Sequence, residues 1–126
     1  MIKVIIAGGR DFNNFELLVA KVDNILKAYQ PNIEIVSGGQ ITISTSGNKY
    51  GADYFGEVYA TIMRYKRTKF KADWDKYGKS AGPIRNKEMA DYSDALIAFW
   101  DGKSKGTKGM ISLARDKGIP VRIIKY

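Results

Sequence analysis

The sequence predicts an α/β fold with a mainly parallel sheet and helices on both faces. Three observations predict it. The short β-branched runs Lys3 to Ala7 and Ile33 to Ser37 each lead into a Gly-Gly pair. Between them Phe15, Leu18, Val22, Ile25, Leu26 and Tyr29 recur at helical spacing. Strand and helix then keep alternating to the end, the pattern of parallel strands joined by crossover helices.

Each element has its own punctuation. Asn13, with Glu16 three residues on, matches a capping box at the start of the first helix, and Pro31 lies just past its end. A second helix places Ala52, Phe55, Tyr59, Ile62 and Met63 on one face, and a short strand follows around Thr68 to Ala72. Pro83 fits the first turn of a third helix. The apolar run Ala95 to Trp100 has the length of one buried strand. Thr107 caps a last helix that Gly118 closes and Pro120 terminates, leaving Val121 to Ile124 as a final strand. The segment "QITISTSGNKY" at 40–50 alternates Ile41, Ile43 and Thr45 before a Ser-Gly-Asn turn, which reads as a β-arm or loop insertion.

Composition narrows the function. A chain of 126 residues, 44% hydrophobic and 27% charged, suits a single domain, 1–126, with one core. The absence of cysteine and histidine removes thiolate nucleophiles, Cys/His zinc sites, Ser-His triads and imidazole acid-base chemistry. No metal and no cofactor are expected. Met1 leads straight into "IKVIIAGG", and no apolar run reaches about 18 residues, so a cytoplasmic protein without membrane attachment is expected. A formal charge of +8, from 21 Lys and Arg against 13 Asp and Glu, favours anionic partners: nucleic acid, phosphorylated small molecules or acidic surfaces.

In such sheets ligands sit beyond the carboxyl ends of the strands, where strand order reverses. Gly8-Gly9-Arg10-Asp11, Gly38-Gly39, Asp73-Trp74 and Asp101-Gly102 each follow a predicted strand, so these loops converge on one crevice. Taken singly, a glycine pair also serves a tight strand-to-helix turn. Neither "AGGRDF" nor "GKSKGTK" has the spacing of a dinucleotide turn or a P-loop. At Gly106-Thr107, however, a helix start would turn free N–H groups toward an anion, with Lys103, Lys105 and Lys108 nearby; a solvated basic loop is the alternative. Phe12, Trp74 and Trp100 lie at strand ends, where a ring either stacks on a purine or packs in the core. Trp74, flanked by Asp73 and Asp75, is the better stacking candidate. The cluster "RYKRTKFK" reads either as a nucleic-acid footprint or as a helix end followed by a lysine-guarded edge strand.

The stretches "IIAGGRDF", "IVSGG", "GAD" and the segment Ala72 to Ile123 resemble the SLOG superfamily, in its small YspA-like branch found in bacteria and their phages. The resemblance implies a Rossmann-like three-layer sandwich of about five strands. It is similar to the Lonely Guy phosphoribohydrolases, to DNA-processing protein A, and to sensor domains for NAD-derived signals. It therefore implies a nucleotide or nucleotide-derived ligand held by Gly8, Gly9, Arg10, Asp11, Phe12, Ser37, Gly38, Gly39, Asp53, Trp74, Pro83, Arg85, Asn86, Trp100, Asp101, Gly102, Ser104, Gly106, Thr107 and Lys108.

Against the Lonely Guy pattern, "RNKEM" matches an Arg-Lys-x-x-Met element and places Arg85 at the arginine that handles phosphate and ribose. "DGKSKGTKGM" keeps the Gly-Thr, but Met110 stands where those enzymes have glutamate. A carboxylate there would stabilise the oxocarbenium-like state of N-glycosidic cleavage, which methionine does not do. The expectation is a binder of an ADP-ribose-type signal, an NAD-derived signal or a nucleoside monophosphate, acting as sensor or sequestering protein. A nucleotide-processing enzyme cleaving an N-glycosidic bond is the alternative, and single-stranded nucleic-acid binding comes third. A homodimer or larger homo-oligomer is expected. In YspA-like relatives only about two residues precede the Gly-Ala-Asp, within ordinary βα connections, so 40–50 is an addition that reads as a lid, an oligomer contact or an inert loop.

Overall fold

The computed structural model describes residues 1–126. The chain runs β1 (Ile2–Gly8), α1 (Phe15–Leu26), β2 (Ile33–Ser37), β3 (Thr42–Ile43), β4 (Lys49–Tyr50), α2 (Ala52–Met63), β5 (Lys66–Lys69) and α3 (Trp74–Tyr77). After a 3₁₀ turn at Gly78–Ser80 come α4 (Ala81–Tyr92), β6 (Ala95–Trp100), α5 (Lys105–Lys117) and β7 (Val121–Lys125). Five strands form one wholly parallel sheet in the order β5-β2-β1-β6-β7. The fold is a Rossmann-like α/β sandwich.

Strand alternation sorts the core into two halves. Val4, Ile6, Ile35, Ile97 and Phe99 face α1 and α2, whereas Ile5, Ala7, Val36, Leu96 and Ala98 face α4 and α5. A parallel sheet covered on both faces needs apolar residues at successive positions, which is why these strands read as near-continuous apolar runs. At about 25 cal/mol per Å² of apolar surface, each such side chain contributes about 2 kcal/mol by its burial.

Several boundaries differ from the sequence reading, each for a local reason. Asn14, not Asn13, caps α1, its side chain accepting the Leu17 N–H at 3.0 Å. The buried face of α2 follows Phe55, Gly56, Tyr59 and Ala60, so Ile62 falls outside it and is exposed. β5 lies at 66–69 and not at 68–72, because its ladder to β2 starts with Glu34 opposite Lys66. It is an edge strand guarded by cations, with Lys66 3.5 Å from Glu34 and Lys69 3.3 Å from Glu57. Asp73 caps the short α3, accepting the Lys76 N–H at 3.1 Å. α4 begins at Ala81, so Pro83 lies in its first turn as expected, and Arg85 falls in its second. Ser104 is the cap residue of α5, and Thr107 lies inside its first turn. Gly118 closes α5 in the left-handed conformation at φ 82°. No helix is long and apolar enough to cross a membrane.

Residues 42–50 form a two-stranded hairpin outside the main sheet, pairing Thr42 with Tyr50 and Ile43 with Lys49. The hydroxyl of Thr42 donates to the Arg10 carbonyl at 2.7 Å, which fastens the hairpin to the loop after β1.

Candidate functional site

Strand order reverses between β1 and β6, and at their carboxyl ends lies a cavity of about 440 Å³. Glycine lets the loop after β1 start there. A Cβ on Gly8 would stand 2.2 Å from the Phe99 carbonyl oxygen, so only glycine allows β1 to leave so close to β6. The start of α2 then pins the loop: Ala52 N–H donates to the Gly9 carbonyl at 3.2 Å and Gly51 N–H to the Phe12 carbonyl at 3.0 Å. Arg10 and Asp11 consequently face the cavity, and the Tyr126 hydroxyl donates to the Asp11 carboxylate.

Arg85 forms the opposite wall although it is only 9% exposed. Its guanidinium donates to the Gly38 carbonyl and, through Nε, to Asn86 Oδ1 at 2.9 Å. Gly38 makes room for it, since a Cβ there would meet Arg85 Cζ and Asp53 Oδ2, each at 2.9 Å. Ser37 shapes this turn, its hydroxyl accepting the Gly39 N–H at 3.0 Å and donating to Glu57 at 2.8 Å. The Gly-Gly after β2 thus acts by holding Arg85. Burial lowers the Arg85 pKa, and Asp53 opposes that by favouring the charged form.

Asp53, in the first turn of α2, is a buried carboxyl on the cavity wall. Burial pushes its pKa up to about 6, against the Gln40 N–H, which donates to it at 3.2 Å, and the nearby Arg85 charge. A carboxyl in that range exchanges its proton close to neutrality.

The third wall is the start of α5. Asp101 Oδ1 accepts the N–H groups of Lys103 and Ser104, both at 2.8 Å, and these bonds hold its pKa below the usual carboxylate range. The first intrahelical bond runs from Lys108 N–H to the Ser104 carbonyl at 3.1 Å, so the amides of Lys105, Gly106 and Thr107 have no acceptor within the helix. They form the positive helix end beside the two arginines. Met110 and Met89, both buried, make the apolar back of the cavity.

Of the residues singled out in sequence, Gly8, Gly9, Arg10, Asp11, Asp53, Arg85, Asn86, Asp101, Ser104, Gly106 and Thr107 meet at this cavity. Trp74 and Pro83 line a neighbouring cavity of about 230 Å³. Ser37, Gly38 and Gly39 stand behind Arg85, outside the lining of either cavity. Phe12 offers no stacking face: it is 1% exposed and packs on Phe55, Phe99 and Tyr126. Trp100 turns its Nε1 to the Ser104 carbonyl at 3.1 Å, and with Gly102 and Lys108 it lies off the cavity lining. Sequence reasoning missed Gln40 and Met89 on the lining, and Glu57 behind it. Asp53 and Glu57, four apart on a helix face otherwise apolar, were the signal for the last.

Fold and crevice together define a Rossmann-like domain with an arginine-walled polar site at the switch point of its sheet. The chain belongs to the YspA, cpYpsA-related SLOG family, whose model matches residues 2–77. The matched residues include Arg10, Gly38 and Asp53 and end before Arg85 and the start of α5. The chain is also similar to the Gene 61 protein of Mycobacterium phage D29, 37% identical over 81 residues, covering 60% of this chain. It spans 65% of the phage protein's length. No solved structure matches it.

Proposed function

We propose that this protein binds a nucleotide or nucleotide-derived small molecule, of the nucleoside monophosphate or ADP-ribose type, as a sensor or sequestering protein. The observation that carries this reading is Arg85: a guanidinium held between the Gly38 carbonyl and Asn86, on the cavity wall opposite Arg10 and beside the free amides of α5. A planar, always-charged fork fixed in place is suited to phosphate oxygens, and its rigidity lowers the entropic cost of binding. Asp11, Asp53 and Asp101 around the same cavity suit ribose hydroxyls, which donate where phosphate accepts.

Met110 favours binding over hydrolysis. It lies at the back of the cavity, where a thioether neither stabilises a developing cation nor orients water. Asp53 favours the second reading, a nucleotide-processing enzyme cleaving an N-glycosidic bond, because a buried carboxyl with a pKa of about 6 is suited to proton transfer near neutrality.

Thermal-shift measurements with AMP, ADP-ribose, NAD and cyclic derivatives test binding. A ligand at about 100 times its dissociation constant adds about 2.7 kcal/mol, an easily read shift. At least one of these ligands stabilises the protein; a flat panel refutes the reading. Chromatography of overnight mixtures separates the two activities. The binder leaves AMP and ADP-ribose intact, whereas release of adenine or ribose phosphate that Arg85→Ala abolishes establishes the enzyme.

A further inference from the structure

We propose that the site has a second compartment, and that its ligand class is two ring-bearing groups joined through a diphosphate. This rests on the nucleotide reading above and narrows it. The cavity of about 440 Å³ and its neighbour of about 230 Å³ share Arg10, Arg85, Asn86 and Gly106 in their linings. The two arginines therefore stand at a junction with space on both sides, whereas a mononucleotide phosphate would need them at one end.

The charges on the two sides differ. Asp11, Asp53 and Asp101 all line the first compartment, so phosphate oxygens are repelled there and ribose hydroxyls find acceptors. No carboxylate lines the second compartment, and Lys105 adds a third cation to the arginines. A diphosphate is thus drawn to the junction and a nucleoside to the first compartment.

What remains of the second compartment is apolar. Trp74, 48% exposed, lies on its lining with Pro83 and Leu113. A half-exposed indole on the lining beside a cationic junction suits stacking by a second ring, whether base, pyridine or sugar. The space beside Gly109 is open, since a Cβ there would meet nothing within 4 Å, so a larger side chain at this position would take up room on the lining.

Calorimetric titration of the wild-type protein with AMP and with ADP-ribose, repeated on Trp74→Ala and Gly109→Leu, tests the proposal. Trp74 is half exposed, and leucine favours the helix that Gly109 occupies, so both variants keep the fold. ADP-ribose binds the wild type at least tenfold more tightly than AMP. Each variant loses most of that preference while its AMP affinity stays within twofold of wild type. Equal affinities for the two ligands, or a preference that survives both variants, overturn the second compartment and leave the nucleotide reading standing. Binding of neither ligand overturns both.

Discussion

Replacing Asp53 by asparagine isolates the electrostatic cost of the site. Asp53 Oδ2 accepts the Gln40 N–H, and the asparagine oxygen keeps that bond while the charge is removed. Burial raises the Asp53 pKa from its ordinary 3.8 to about 6, so the folded state holds the proton more tightly than the unfolded chain does. The associated stability is fully present below about pH 3.8 and is lost as pH rises through about 6. With each pH unit worth about 1.4 kcal/mol, the full span is about 3 kcal/mol, of which about 1.4 kcal/mol falls between pH 5 and pH 8. The Asp53→Asn variant has no such dependence. Urea titrations of both proteins at pH 5 and pH 8 give the difference directly, and titrating groups remote from Asp53 cancel in the comparison. The asparagine variant gains about 1.4 kcal/mol on the wild type between pH 5 and pH 8, equivalent to roughly 5 °C in melting temperature for a domain of this size. An unchanged gap, or a wild type relatively more stable at pH 8, would mean that Arg85 and Gln40 outweigh burial, and the reasoning would fail.

Other consequences follow from the same contacts. Arg85→Ala lowers affinity for AMP by about 1.5 to 3 kcal/mol, the usual worth of a charge-assisted hydrogen bond, and Arg85→Lys recovers only part because an ammonium lacks the fork; calorimetry at fixed salt reads both. Gly38→Ala pushes a Cβ to 2.9 Å from both Arg85 Cζ and Asp53 Oδ2 and weakens AMP binding in the same assay. Ile43 is exposed on the hairpin and Ile41 just before it, and we propose that they pair copies of the chain: light scattering at tens of micromolar is expected to give a homodimer or larger mass that Ile43→Asp lowers, and a monomeric mass for the wild type refutes this.

What the sequence disclosed was local. The β-branched runs, the helical spacing around Leu18 and Val22, and Gly118 with Pro120 each carry a signal readable within a few residues, and the strands and helices follow from them. Of the glycine pairs, Gly8-Gly9 lies on the cavity lining, whereas Gly38-Gly39 stands behind Arg85. Exact caps failed by one to three residues because neighbours compete: Asn14 beside Asn13, and Ser104 three before Thr107. Contacts across the chain were not legible. Nothing near Gly38 announces that its carbonyl receives a guanidinium 47 residues away, and nothing near Phe12 says that Phe55, Phe99 and Tyr126 surround it. The division of the site between carboxylates on one side of Arg85 and none on the other emerges only when loops and helix starts from across the chain are brought together.

The central claim is that Arg85 and the start of α5 receive a nucleotide phosphate. A crystal structure of the protein grown with excess AMP tests it most directly. Phosphate oxygens are expected at about 2.7 to 3.1 Å from the Arg85 guanidinium and from the amide of Gly106 or Thr107, with the ribose toward Asp53. A phosphate bound elsewhere on the basic surface, with this crevice empty, would contradict it.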